Sequence, residues 1–265
     1  MKLHIISDLH LDSWPLEAPQ DIDADVSIVL GDTHEGINGL EFIETLCKGR
    51  PILSPSSVRP TIVLLGNHEF YGSSLAKVRA QWREIAAKNS DIIFLDNEVW
   101  IHKGVRFIGA TLWTDFFNQS PLKMMQGQGV VKDYMYIEND QGDDHINADF
   151  ILSEHLKSKQ FIQDELSKPF EGKTVVLTHH APTHSSVAEH FQGNEHNYMF
   201  CSDLDAIFHY QDFVLWAHGH MHNSAFYKLA DKWVLNNPRG TPSYPNDQFD
   251  VRFVIDLDNM GSIPD

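Results

Sequence analysis

Five apolar segments of this chain stop abruptly on side chains of the kind that bind metals. LHIISDLHL delivers Asp8 and His10, SIVLGDTHEG delivers Asp32, and IVLLGNHEF delivers Asn67 and His68. VVLTHHAP delivers His179 and His180, and VLWAHGHMH delivers His218, His220 and His222. Each run is short and carries no helical period, which predicts a buried strand. Strands of this kind belong to α/β sheets, whose sites gather at the carboxyl ends of the strands. All five groups can therefore converge on one edge. Asp8 and His10 are two residues apart, as are His220 and His222, so each pair shares one side of an extended chain. Carboxylate, imidazole and one amide oxygen, with no thiolate, suit Mn, Fe, Zn, Co or Ni, and so many imidazoles argue against Ca.

The rest of the chain fits this frame. Further strands are expected at 92–95, 105–108, 225–229, 233–235 and 251–255. Helices are expected at 39–48, at 74–88 with Leu75, Val78, Trp82 and Ile85 on one face, and at 149–168. A shorter helix is expected at 202–210, with Ser202 as its cap. The segment 115–147 reads as a long, polar, irregular insertion, hence a lid or binding loop within a single domain spanning 1–265. At 265 residues the chain can bury a sizeable core.

Composition excludes some partners. A net charge of −17 opposes tracking along nucleic acid, which needs Lys and Arg on phosphates, and opposes anionic membrane surfaces. No apolar run is long enough to span a bilayer. The opening MKLHIISDLH carries charge and histidine where a leader would be apolar, so a cytoplasmic location is expected. Cys47 and Cys201 form no metal-binding or disulfide pattern.

Asp-x-His, Gly-Asp, Gly-Asn-His-Glu, His-His-Ala-Pro and Gly-His-x-His, in this order from Asp8 to His222, resemble the calcineurin-like metallophosphoesterase superfamily. The later NPRG, Asn237–Gly240, resembles a bacterial branch of small members. The resemblance implies a four-layer α/β/β/α sandwich with mixed central sheets, and two divalent metal ions, with Mn or Fe ahead of Zn. By motif, Asp8, His10, Asp32 and His222 would hold one metal. Asp32, Asn67, His179 and His220 would hold the other, with Asp32 bridging. A hydroxide shared by the metals would attack phosphorus, and His68 would protonate the leaving group.

The implied reaction is hydrolysis of a phosphomonoester or phosphodiester, with a small molecule or nucleotide as substrate. A nuclease of the same superfamily and a catalytically idle metal-binding scaffold are the alternatives. The first is opposed by the charge balance and the second by the complete ligand set. GDTHEG departs from the Gly-Asp-x-x-Asp-Arg-Gly of the family's protein phosphatases. Glu35 takes the second acidic place, where it is expected to orient His68, and Gly36 stands where an arginine would grip phosphate. Arg239 is the expected substitute for that arginine. His180 and His218 are expected to be structural. His184, His190 and His196 are placed in an exposed loop that could reach the pocket, and His34 has no assigned role.

Overall fold

A computed structural model describes residues 1–49 and 58–260. Its centre is two sheets. The first contains β1 (Lys2–Ile6), β2 (Val26–Leu30), β3 (Thr61–Leu64), β4 (Ile92–Phe94) and β11 (Val254–Asp256), in the order β11-β1-β2-β3-β4. The second contains β5 (Glu98–His102), β6 (Val105–Ala110), β7 (Lys173–Thr178), β8 (Leu215–His218), β9 (Ala225–Leu229) and β10 (Lys232–Asn236), in the order β9-β10-β8-β7-β6-β5. Strands β1 to β4 are mutually parallel, as are β6, β7, β8 and β10. Strands β11, β5 and β9 pair antiparallel at the edges.

Alternation along the strands produces the layers. Leu3, Ile5, Ile28 and Leu30 from one sheet meet Phe107, Val175, Leu177 and Leu215 from the other in a core between the sheets. The opposite faces are also apolar. Ile6, Val29 and Val63 pack under α1 (Leu40–Lys48) and α2 (Leu75–Lys88). Ile108, Val176 and Trp216 pack against Ile162 and Leu166 of α4 (Ala148–Ser167) and Ile207 and Phe208 of α5 (Asp205–Tyr210). Both sheets are therefore covered on both faces, which is why their central strands read as unbroken apolar runs. The result is the expected α/β/β/α order.

Three local expectations change. The insertion 115–147 is not irregular. It holds α3 (Pro121–Gln128), a helical turn at Asp133–Tyr136, and a two-residue strand, Ile137–Glu138, paired with Ser73–Ser74. The Ser120 side chain caps α3 by accepting from the Lys123 amide, and Pro121 opens it, while Gly127 blurs its pattern. Ser202 does not cap α5. It accepts the Asp115 amide at 3.2 Å, and the cap position is Leu204. Strand β5 is a further element, a half-exposed edge joined to β6 through Lys103 and Gly104, both at positive φ as a tight hairpin requires. Its short apolar run, Val99 to Ile101, shows no alternation and conceals it in the sequence. The expected strand 251–255 begins three residues later, at Val254.

Candidate metal centre

The five strand ends do converge. Among the described residues, two groups of donors draw together, Asp8 with His10 and His222, and Asp32 with His179 and His220. A third, His10 with Asp32 and His68, links them.

The spacing of these donor atoms suits a bound cation. His222 Nε2 lies 3.3 Å from Asp8 Oδ1 and 3.3 Å from His10 Nε2. His179 Nε2 lies 3.2 Å from Asn67 Oδ1, 3.1 Å from His220 Nδ1 and 3.5 Å from Asp32 Oδ2. Donors held ~2.1 Å from one cation at tetrahedral to octahedral angles are about 3.0–3.4 Å apart.

Hydrogen bonds behind the donors fix which atoms face the centre. His179 Nδ1 donates to the Leu30 carbonyl at 2.8 Å, so Nε2 of the neutral ring presents a lone pair. Asn67 Nδ2 donates to Asp133 Oδ1 at 2.9 Å, so its amide oxygen turns to His179. Tyr71 donates its hydroxyl to the same Asp133 oxygen at 2.8 Å. The His179 nitrogen and the Asn67 oxygen are therefore directed at one point, where a positive charge, a proton or a divalent ion, is needed between them.

Electrostatics agree. Burial would push His179 down, but the Asp32 and Asp8 carboxylates overrule it and push the ring up to about 10. Burial raises Asp32, yet the charges of His179 and His68 hold it well below the carboxylate range. The centre favours positive charge.

The backbone that carries these ligands is unusual. Asp8, His10, Asp32, His220 and His222 all have φ between 45° and 66°, the left-handed region. Side chains other than glycine pay about 1–2 kcal/mol each to sit there, and such strain persists only where neighbours enforce it. Asp8 and His10 thus share a side through sharp turns beyond β1, and His220 and His222 are sent into separate donor groups.

The enforcing contacts run between the loops. The Asp8 amide donates to the Gly31 carbonyl and the His10 amide to the Asp32 carbonyl, each at 3.0 Å. The His220 amide donates to Asp8 at 3.0 Å. Buried Glu69 accepts the amides of Asp32 (2.9 Å), Thr33 (2.7 Å) and Gly66 (2.7 Å), knotting the ends of β2 and β3. Burial and the Asp32 charge push Glu69 up to about 7, although its three amide donors favour the charged form. Gly66 must be glycine, since a Cβ there would stand 2.1 Å from Asp32 Oδ1 and 2.5 Å from the His179 ring.

His68 borders both the donors and a cavity of about 430 Å³. Its amide donates to Asp32 Oδ1 at 2.9 Å, and its ring stacks on Tyr71 at 4.3 Å. Its Nε2 is 4.0 Å from Asp32 Oδ2. His180 packs behind the centre, 4.1 Å from the His220 ring and 5.1 Å from Trp113, and His218 bonds Ser186 at 2.8 Å. His196 reaches the cavity, whereas His190 holds Tyr244 at its rim. His184 turns to Cys201, at 3.2 Å.

Two expected residues are not where their roles require. Glu35 is exposed, because the turn after Asp32 carries it outward, and among the described residues no hydrogen bond or ion pair joins it to His68. The buried carboxylate of this region is Glu69, visible in Gly-Asn-His-Glu but given no role by the sequence. Arg239 does not line the cavity. It is 95% buried, donates to the carbonyls of Leu9 (2.9 Å), Trp14 and Pro15 (3.2 Å), and stacks on the Trp14 ring at 3.8 Å. It pins the loop that follows His10. Arg239→Ala is therefore expected to cost about 2–3 kcal/mol of stability, seen as a lower urea midpoint, with KM little changed. Lysine at 239 should not restore it, lacking the planar fork. Full stability with a tenfold higher KM would return Arg239 to the substrate. Asp133 and Tyr71, from separate segments, had no signal in the sequence.

Known proteins resemble this chain in sequence or fold. A protein of Acanthamoeba polyphaga mimivirus, described as uncharacterized protein L509, is 26% identical over 212 residues, 74% of this chain and 72% of its own. Two solved structures share the fold. Phosphopantetheinyl hydrolase (PptH) of Mycobacterium tuberculosis has a TM-score of 0.66 at 15% identity, covering 92% of this chain and 90% of its own. TT1561 of Thermus thermophilus has a TM-score of 0.52 at 11% identity, covering 98% and 95%. The sequence model of the calcineurin-like phosphoesterases matches residues 1–224, a span that takes in every donor from Asp8 to His222, and this chain belongs to that family.

Proposed function

We propose that this protein is a binuclear metal-dependent phosphoesterase hydrolysing a small-molecule phosphomonoester or phosphodiester. The observation that carries the reading is the pair of donor groups beside a cavity bordered by His68. In this reading Asp8, His10 and His222 hold one divalent ion, His179, His220 and Asn67 hold the second, and Asp32 serves both. The donor set suits Mn or Fe. Such a pair neutralises phosphoryl charge and makes water nucleophilic near neutral pH. The chain's own part is orientation and proton transfer. Tyr71 under the His68 ring and Asp32 on its amide hold the imidazole at the cavity, where it gives a proton to the leaving oxygen. His10 meets the His68 ring edge-on at 4.5 Å and limits its rotation.

The test is chelator-stripped protein reloaded with Mn²⁺ and assayed on a panel of phosphate monoesters and diesters. Metal-dependent turnover is expected. No turnover with Mn, Fe or Zn, despite bound metal, would leave the scaffold reading instead.

Asp133 supplies a further prediction. Asp133→Ala removes the acceptor that turns the Asn67 amide, so affinity for one of the two ions should fall about 10–100-fold while the other is retained. Calorimetric Mn²⁺ titration resolves the two steps. Two unchanged affinities would sink this role for Asp133.

A further inference from the structure

The cavity says which esters fit, if the phosphoesterase reading holds. Beyond the donors, its walls are mostly apolar, with Val130, Val131, Val187, Phe191, Phe200 and Tyr244, and Asn194, His196 and Asn197 are polar members of the same lining. The Phe200 ring lies 5.4 Å from the His220 ring, so the apolar wall begins at the metal centre. It continues to the rim, where Phe191 and Tyr244 stand 5.9 Å apart. Val130, Phe191 and Tyr244 are 55%, 37% and 39% exposed, so apolar surface is left open to solvent beside the centre. Lys132 is the sole Lys or Arg among the lining residues. Two cations and one lysine can hold one phosphoryl group. Further phosphates would need more guanidinium or ammonium groups, in a chain of net charge −17. A volume of about 430 Å³ lies toward the small end of ligand pockets.

We infer that the substrate carries a single phosphoryl group on an uncharged apolar or aromatic moiety of one or two rings, and that Phe191, Phe200 and Tyr244 select it. The aromatic walls receive that moiety by stacking and by exclusion of water. Polyphosphorylated esters are disfavoured for want of cations.

The experiment compares kcat/KM of the Mn²⁺-loaded enzyme for phenethyl phosphate, ethyl phosphate and glycerol phosphate, whose leaving groups are all alkoxides. Phenethyl phosphate should be preferred about 10- to 100-fold, the worth of burying one phenyl ring. A nucleoside monophosphate should likewise exceed its diphosphate and triphosphate. The rim double variant Phe191→Ala with Tyr244→Ala should cut the phenethyl-to-ethyl ratio at least about fivefold. Equal efficiencies for the three esters, a preference for the triphosphate, or an unchanged ratio in the rim variant would each overturn the inference. Turnover of none of them by metal-loaded enzyme would instead overturn the phosphoesterase reading beneath it.

Discussion

Asp32→Asn should empty both metal positions and reduce activity to background. Asp32 lies in the donor groups of both His10 and His179, so one substitution removes a negative charge that, in the proposed function, two cations would share. Loss of a hydrogen bond behind a ligand costs 10–100-fold in metal affinity, and removing one partner of a buried charge pair costs several kcal/mol. A fall of at least about 10³-fold in Mn²⁺ affinity at each position follows. The variant tests the site rather than the fold, because asparagine tolerates the left-handed backbone held by residue 32 and has nearly the same shape. His222→Ala is the contrast, expected to lose one ion only. Elemental analysis of the two variants, with circular dichroism to confirm folding, decides the matter. Two ions retained in Asp32→Asn would end the bridging assignment.

His68→Ala should lose about 10²–10⁴-fold in kcat for esters with basic leaving groups and keep both metals. The loss should shrink for p-nitrophenyl phosphate, whose leaving group needs no proton. Metal content matters here because the His68 ring lies close enough to His10 and Asp32 to count among the possible donors. A variant that loses one ion would make His68 a ligand. Equal losses on good and poor leaving groups would remove the proton from its role.

How far these residues could be read from the chain depends on the range of the forces that place them. The central strands were legible because both faces of each sheet are covered, so every position in Val26–Leu30 is buried, and all but Ser27 are apolar. Edge strand β5 was not legible, since its apolar run is only Val99, Trp100 and Ile101, set between Glu98 and His102, with no alternation to mark a buried face. Helix α2 declared itself by its apolar stripe, and the structure adds Ser74 as its cap, accepting the Lys77 amide. Helix α3 was hidden because it is only eight residues long and includes Gly127. Glu35 and Arg239 show the opposite limit. Each has a residue type and a sequence position that suit the chemistry, but a turn carries Glu35 to solvent and three carbonyls of the segment 9–15 claim Arg239.

The sequence by itself determined the layered α/β class and singled out the candidate donors, because the ends of neighbouring parallel strands lie along one edge and these residues follow the strands directly. Tertiary structure alone decided how they are aimed. The left-handed turns at Asp8, His10, Asp32, His220 and His222 exist only because other loops hold them. The Glu69 knot joins β2 to β3 across 37 residues, and Asp133 reaches Asn67 across 66. The cavity walls come from segments near 130, 190, 200 and 244 that share no local pattern. Periodicity and capping act over a few residues, whereas orienting a ligand or shaping a pocket depends on contacts between distant parts of the chain, which only the packed fold brings together.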